Sequence, residues 1–572
     1  MMATAASAGH PARARRPRPT RMGATAHVDT FARDHLPPKE QWPEFLFELP
    51  EVQYPEKLNC ATELLDRAIA QGWGERPVIH APRGEGEGAG RTFVTYRQLL
   101  ALANRIAHVL TEDLGLVPGN RVLLRSPNTP MLAACFLAVW KAGGIVVPTM
   151  RLLRAKELRQ VIDKARVDIA LCDAQLKDDL GAAAQSSGSP KTIVYFGEGG
   201  PQSLERRLES KPAEYRNVET ASDDVAVIAF TSGTTGLPKA ALHFHRDVMA
   251  MCDCWPRSIL KPRPEDIFCG TPPLAFTYGL GVMLCVPMRY GASTVLVEKV
   301  TPPGLLETVA SFRCTFVATV PTFYRQMAPF VRRFDISRLR VAISSGEALP
   351  DATRELFREA SGLELIDGFG ATEMMQTFIS HTPDRVRRGA TGYAIPGYRA
   401  VVLDENGRPC PPGVTGRLAV KGPTGCLYLS DERQQRYVQH GWNVTGDMYR
   451  VDEDGYFFFQ GRSDDVIVSA GYNISGLEVE TMLLQHVAVA ECAVVGMPDE
   501  ERGQIVSAFV VLKPEFAAGP QVAKMLQDFV KSNIAPYKYP RRVEFVASLP
   551  RSEAGKLQRS QLREHPPKAA GA

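Results

Sequence analysis

The sequence contains no CxxC pair. Its cysteines number eleven, an odd total, and the two nearest, Cys252 and Cys254, stand two apart. That spacing suits neither a zinc knuckle nor a redox pair, so buried or free thiols in a reducing cytoplasm are expected. Long apolar runs are missing as well. The best candidate, Met131 to Met150, is interrupted by Lys141, by Gly143-Gly144 and by Pro148. It cannot span a bilayer and reads instead as a buried helix followed by a strand. Excess charge of either sign is absent: a net +4 over 572 residues makes no case for nucleic acid or a membrane surface. There is no internal repeat. What remains, 44% apolar and 23% charged residues, is the composition of a globular protein of about three or four structural units.

Acidic residues are lacking from residues 1–28, where ARARRPRPTR (Ala12 to Arg21) carries five arginines. The prolines and the want of an amphipathic face argue against a transit peptide. A disordered basic tail is expected, with Met22 as the true start.

From about residue 55 onward the texture alternates. Apolar residues at helical spacing from Phe93 to Leu110 predict a helix, and RVLLR (Arg121 to Arg125) predicts a strand. Thr129-Pro130 is a helix start signal. Asp168–Cys172, Thr192–Phe196, Ser293–Val297, Thr315–Val320 and Leu339–Ser344 are further strand candidates. Strands alternating with helices predict an α/β fold, its parallel sheets flanked by helices. After Gly392 short strands and turns take over, one turn at Glu405-Asn406-Gly407, which predicts a small β-rich unit. A compact α+β segment follows from about Asp465. The expected division is a tail (1–28), a body (29–462, with the β unit at 393–460), a hinge (463–465) and a smaller, mobile C-terminal domain (466–572).

One loop carries chemistry on its face. TSGTTGLPKA (Thr231 to Ala240) follows the apolar run VAVIAF, and six of its ten positions are Gly, Ser or Thr. Freed backbone N–H groups, hydroxyls and the charge of Lys239 are the groups that cradle polyphosphates. Walker A spacing is nonetheless absent: Gly233 and Gly236 are three apart, and Ala240 follows Lys239.

TSGTTGLPK resembles the phosphate loop of the acyl-adenylate-forming superfamily, and further stretches match that family in order. SSGEALP (Ser344 to Pro350) is similar to its adenine-side loop, DGFGATEM (Asp367 to Met374) to its Thr-Glu loop, and GWNVTGD (Gly441 to Asp447) to its ribose segment. GRSDD (Gly461 to Asp465) resembles the hinge, SAGYN (Ser469 to Asn473) the coenzyme A tunnel, and PRSEAGKLQR (Pro550 to Arg559) the lysine loop. The resemblance implies ATP or AMP binding by Thr231, Ser232, Gly233, Thr234, Thr235, Gly236, Lys239, Gly346, Glu347, Ala348, Asp367, Gly368, Phe369, Gly370, Thr372, Asp447 and Arg462. It implies catalytic roles for Lys239, Thr372, Glu373 and Lys556, with Mg2+ at Glu373. Asp464 becomes the hinge residue, and Gly471, Tyr472 and Asn473 line the path of coenzyme A. Each side chain suits its role: a carboxylate such as Asp447 can accept both ribose hydroxyls, and Glu373 is a hard oxygen ligand. Read alone, Lys556 is one solvated lysine among many.

The acid is read from LAFTYGLG (Leu274 to Gly281). This stretch resembles the substrate wall of benzoate-type CoA ligases, which also reads aromatic-x-aromatic-Gly. The resemblance implies that Phe276, Tyr278 and Gly279, with Phe369 and Met374 beyond, form a flat pocket for an aromatic ring, although a core aromatic pair would give the same alternation. Thr277 could bond an ortho substituent. The opening segment Asp29 to Asp66 resembles that of 2-aminobenzoate–CoA ligases, which makes 2-aminobenzoate the expected acid and benzoate the alternative. A peptide-synthetase adenylation module would place an Asp near Phe276, and none lies between Thr271 and Met288; a carrier domain has no room after the lysine loop. The expected partners are therefore a small aromatic carboxylate, ATP and coenzyme A, with no nucleic acid and no membrane. Homodimerisation stays open, and the lysine loop resembles a site silenced by reversible acylation.

Overall fold

Strands buried on both faces set the architecture. Arg121–Arg125, Ile145–Thr149 and Ile169–Asp173 are buried at every position, as the strands of a helix-covered parallel sheet must be. With Thr192–Phe196 and Val225–Thr231 they form a parallel sheet, closed at one edge by the antiparallel strand Lys239–Phe244. A nine-stranded sheet lies beside it, parallel through its middle, where Phe316–Thr319, Val341–Ser345 and Leu365–Gly370 are neighbours. A five-stranded antiparallel sheet spans Arg399 to Arg462, and the connection between its first two strands makes the expected turn at Asn406-Gly407, where the Gly407 N–H donates to the Asp404 carbonyl. The last sheet, from Ile467 to Phe545, carries the helices Gly476–Leu483 and Pro520–Asn533 and makes the smaller C-terminal lobe.

This computed structural model describes residues 24–564 except 83–90, 232–237, 299, 464, 466, 470–471, 500–501, 535 and 552–556. Of the residues named above, Ser232, Gly233, Thr234, Thr235, Gly236, Asp464, Gly471 and Lys556 lie outside the described residues, as does the basic segment 1–23.

The run interrupted by Lys141 is a buried helix, Pro130–Lys141, capped by the Thr129 hydroxyl. Lys141 is itself wholly buried, and the Asp66 carboxylate takes its ammonium at 2.6 and 2.8 Å. One expected helix starts later than its periodicity implied. Phe93 belongs to the edge strand Arg91–Thr95, and the helix runs Tyr96–His108. Thr95 and Gln98 form a capping box there, and that local exchange of hydrogen bonds outweighs the apolar spacing.

The arrangement brings the chemistry to strand ends. Val341–Ser345 and Leu365–Gly370 pair in register, Ser344 with Asp367 and Ser345 with Gly368. Their carboxyl ends therefore deliver SSGEALP and the Thr-Glu loop side by side, where open α/β sheets hold ligands.

Candidate active site

The Ser/Thr/Gly loop joins two antiparallel strands. Thr231 closes one and faces Lys239, the first residue of the next. A Walker A loop instead runs from a strand into a helix, so the unusual spacing accompanies a different scaffold. The Lys239 ammonium lies 5.4 Å from the centre of the Tyr428 ring. That ring's hydroxyl donates to Glu373 Oε1 at 2.6 Å. A cation, an aromatic face and a buried carboxylate thus stand in a row.

Glu373 owes its position to a tight reversal. Gly370 runs so close to the returning chain that a Cβ there would lie 2.6 Å from the Gln376 carbonyl oxygen. The short turn Thr372–Met374 follows, and Met375 takes φ 64° and ψ −36° while the Gln376 N–H donates to the Met374 carbonyl at 2.7 Å. That is a γ-turn of the rare, strained kind, held by burial of Met375. Thr424 Oγ1 donates to the same Met374 carbonyl at 2.8 Å, tying the turn to the β-rich unit.

Asp447 and Arg462 face each other across two antiparallel strands, with Oδ1 and Nη1 3.1 Å apart. Burial raises the pKa of Asp447, and the Arg462 guanidinium pulls it back down. Between this pair and Glu373 sits Tyr437, edge-on to Tyr428 with ring centres 5.8 Å apart. Its buried hydroxyl has no hydrogen-bond partner among the described residues. Burial pushes its ionisation upward, with the charges of Glu373 and Asp447 adding to the effect. Neither Tyr428 nor Tyr437 carries a motif signal; each is one aromatic residue in an ordinary stretch.

Asp367 is buried beneath the same loops. Burial raises its pKa to about 7 against the pull of Arg354. His381, which burial lowers to about 4, is a neutral imidazole: its Nε2 accepts the Asp367 N–H at 3.1 Å, leaving Nδ1–H to donate to the Thr382 carbonyl. Ser345 Oγ donates to the Gly368 carbonyl at 2.6 Å and locks the two loops together. Gly346 has φ 91°, a conformation glycine adopts freely. The carboxylate of Glu347 is engaged by Thr322 and by Arg551 of the C-terminal lobe.

In the acid segment, Phe276 precedes the short helix Thr277–Leu280. A Cβ on Gly279 would lie 1.9 Å from the Pro273 carbonyl oxygen, so no side chain fits. Thr277 is buried, and the buried Tyr278 hydroxyl lacks a hydrogen-bond partner among the described residues. The other two pocket candidates face the core. Met374 is fully buried, and the Phe369 ring packs edge-on against Phe378 and Tyr449, with centres 5.4 and 5.2 Å away. Tyr472 and Asn473 open the strand Tyr472–Ile474.

Residues 66–427 match the family model for AMP-binding enzymes, and residues 478–556 match that of the AMP-binding enzyme C-terminal domain. This chain belongs to the AMP-binding enzyme family. Among curated relatives, the AMP-binding enzyme is 32% identical to the benzoate–CoA ligase of Thauera aromatica, over 90% of this chain and 97% of the relative. Among solved structures it superposes on the anthranilate CoA ligase AuaEII in complex with anthranoyl-AMP with a TM-score of 0.85, at 30% identity, covering 91% of this chain and 99% of the other. A benzoate CoA ligase from Burkholderia xenovorans LB400 gives a TM-score of 0.80, also at 30% identity, over 88% and 100%. The alternation of strands and helices and the ordered motifs thus led to the right fold and family.

Proposed function

We propose that this AMP-binding enzyme is an ATP-dependent, AMP-forming ligase that joins a small aromatic acid to coenzyme A through an acyl-adenylate, with 2-aminobenzoate as its acid. The observation that carries the reaction type is the row Lys239, Tyr428, Glu373, with the Asp447–Arg462 pair as a second polar point. Together they offer a cation and hydroxyls for phosphates and a carboxylate for ribose hydroxyls. The carboxylate substrate attacks the α-phosphorus, pyrophosphate leaves, and a thiolate then displaces AMP. Lys239 and Thr372 hold the phosphates, Asp447 orients the ribose, and Lys556 stabilises charge in the first step.

Glu373 is where Mg2+ would meet the protein. Among the described residues there is no cluster of three or more His, Cys, Asp or Glu, while one buried carboxylate beside Thr372 fits an ion carried in on phosphate oxygens. When bound, it would neutralise phosphate charge.

The aromatic acid is supported by Phe276 and Tyr278 around a Gly279 that can bear no side chain, and by the likeness to ligases named for benzoate and anthranilate. A cytoplasmic setting belongs to this reading, in keeping with cysteines that are all unbridged. No described helix is long and apolar enough to cross a membrane.

Pyrophosphate release with a panel of acids, with and without coenzyme A, tests both levels. Release with 2-aminobenzoate, and AMP with thioester only when coenzyme A is added, is the expected result. A higher kcat/KM for hexanoate or acetate than for every aryl acid would refute the pocket. A preference for benzoate would keep the pocket and remove the role of Thr277.

A further inference from the structure

Besides the Ser475 hydroxyl, which donates to the Gln460 carbonyl, a small cluster fastens the C-terminal lobe to the body. On the helix Pro321–Met327, Thr322 Oγ1 donates to Glu347 Oε2 at 2.9 Å. Three residues on, Arg325 Nε donates to the Ala490 carbonyl at 3.0 Å, at the start of the lobe's longest strand, Val489–Asp499. Arg551 completes the cluster. Its Nη1 lies 3.2 Å from Glu347 Oε1 and its Nη2 lies 2.8 Å from Glu491 Oε2. One guanidinium therefore spans a carboxylate of the body and a carboxylate of the lobe, a use of its planar fork that lysine could not copy fully.

Two further contacts give the bridge a purpose. Arg551 pairs with Leu557 across an antiparallel bridge, and the Gln558 N–H donates to the Pro550 carbonyl at 2.9 Å. The two ends of the segment bearing Lys556 are thus joined at Arg551. On the body side, Glu347 follows Ser345, whose hydroxyl holds the loop that begins at Asp367. The three charged side chains are only 15 to 27% exposed, so solvent screens them less than a surface pair.

We propose that Arg551 is a positioning residue: by spanning Glu347 and Glu491 it holds the lobe, at a point just before Lys556 in sequence, against the SSGEALP loop, and it serves adenylation rather than thioester formation. This rests on the reading of Lys556 as the adenylating lysine. Glu491 keeps the guanidinium aimed from within the lobe, so the Glu347 and Arg325 contacts are among those that must break for the lobe to move away.

The test compares wild type with Arg551→Gln, Arg551→Lys, Glu347→Gln and the double Gln variant in two assays. One is pyrophosphate release from ATP and 2-aminobenzoate without coenzyme A; the other is thioester formation from supplied acyl-adenylate and coenzyme A. Losing a charge-assisted hydrogen bond should slow adenylation about 10- to 100-fold in Arg551→Gln. Thioester formation by that variant should stay near wild type, which also shows that it folds. Arg551→Lys should recover part of the adenylation rate, and the double variant should be no slower than the slower single one. Equal loss in both assays for Arg551→Gln, or single losses that multiply in the double variant, would overturn the bridge. Wild-type protein that released no pyrophosphate with any acid would overturn the ligase reading, and the bridge's role with it.

Discussion

Asp367 joins charge to stability. Its carboxyl is held up to about 7 by burial, well above the range of an exposed aspartate. In the unfolded chain it loses its proton near pH 4, whereas in the folded protein it keeps it to about pH 7. Its contribution to stability is therefore complete below about pH 4 and is lost as pH rises through about 7. Asp367→Asn should remove that dependence, so its melting temperature should gain on wild type between pH 4 and pH 7.5. Thermal unfolding across that range tests it, and parallel curves would show that Asp367 ionises as if exposed. Tyr428 offers a second test on a single atom. Tyr428→Phe keeps the ring under Lys239 but leaves Glu373 Oε1 without its donor. A hydrogen bond to a charged group contributes about 1.5–3 kcal/mol, so pyrophosphate release should slow by about tenfold or more. An unchanged rate would detach Tyr428 from the site.

Between strands and turns, the sequence was most legible where chemistry is local. Buried strands announced themselves as apolar runs, Thr129-Pro130 marked a helix start, and Asn406-Gly407 marked a tight turn. The edge strand ending at Thr95 was hidden because a capping box can begin inside an apolar pattern. Resemblance singled out Glu373, Asp447 and Arg462, but what holds them in place could not be read from it. Tyr428 meets Glu373 from 55 positions away, and Arg551 meets Glu347 from 204. Periodicity reports near neighbours along the chain, and nothing in it encodes such meetings. The acid segment tests an element as a unit. Gly279→Ala would force a Cβ onto the Pro273 carbonyl, and the helix Thr277–Leu280 must shift to admit it. A cost of about 1–3 kcal/mol is expected for such overpacking, together with lower kcat/KM for aryl acids and little change in KM for ATP. Unaltered aryl-acid kinetics would separate this element from the acid pocket.

Across the whole molecule, the proposed reaction asks one site to do two things in turn. Adenylation needs positive charge at the phosphates, and thioester formation needs room for a thiol where that charge stood. In the proposed scheme the lobe is the means: it is a separate sheet with its own core, and Arg325 and Arg551 join it to the body through side chains. Removing the lysine should therefore affect the two half-reactions unequally. Lys556→Ala is expected to abolish acyl-adenylate formation while still converting supplied acyl-adenylate and coenzyme A to thioester at close to the wild-type rate. Single-turnover assays of each step measure this directly. Loss of both steps to the same degree would mean that one arrangement of body and lobe serves the entire reaction.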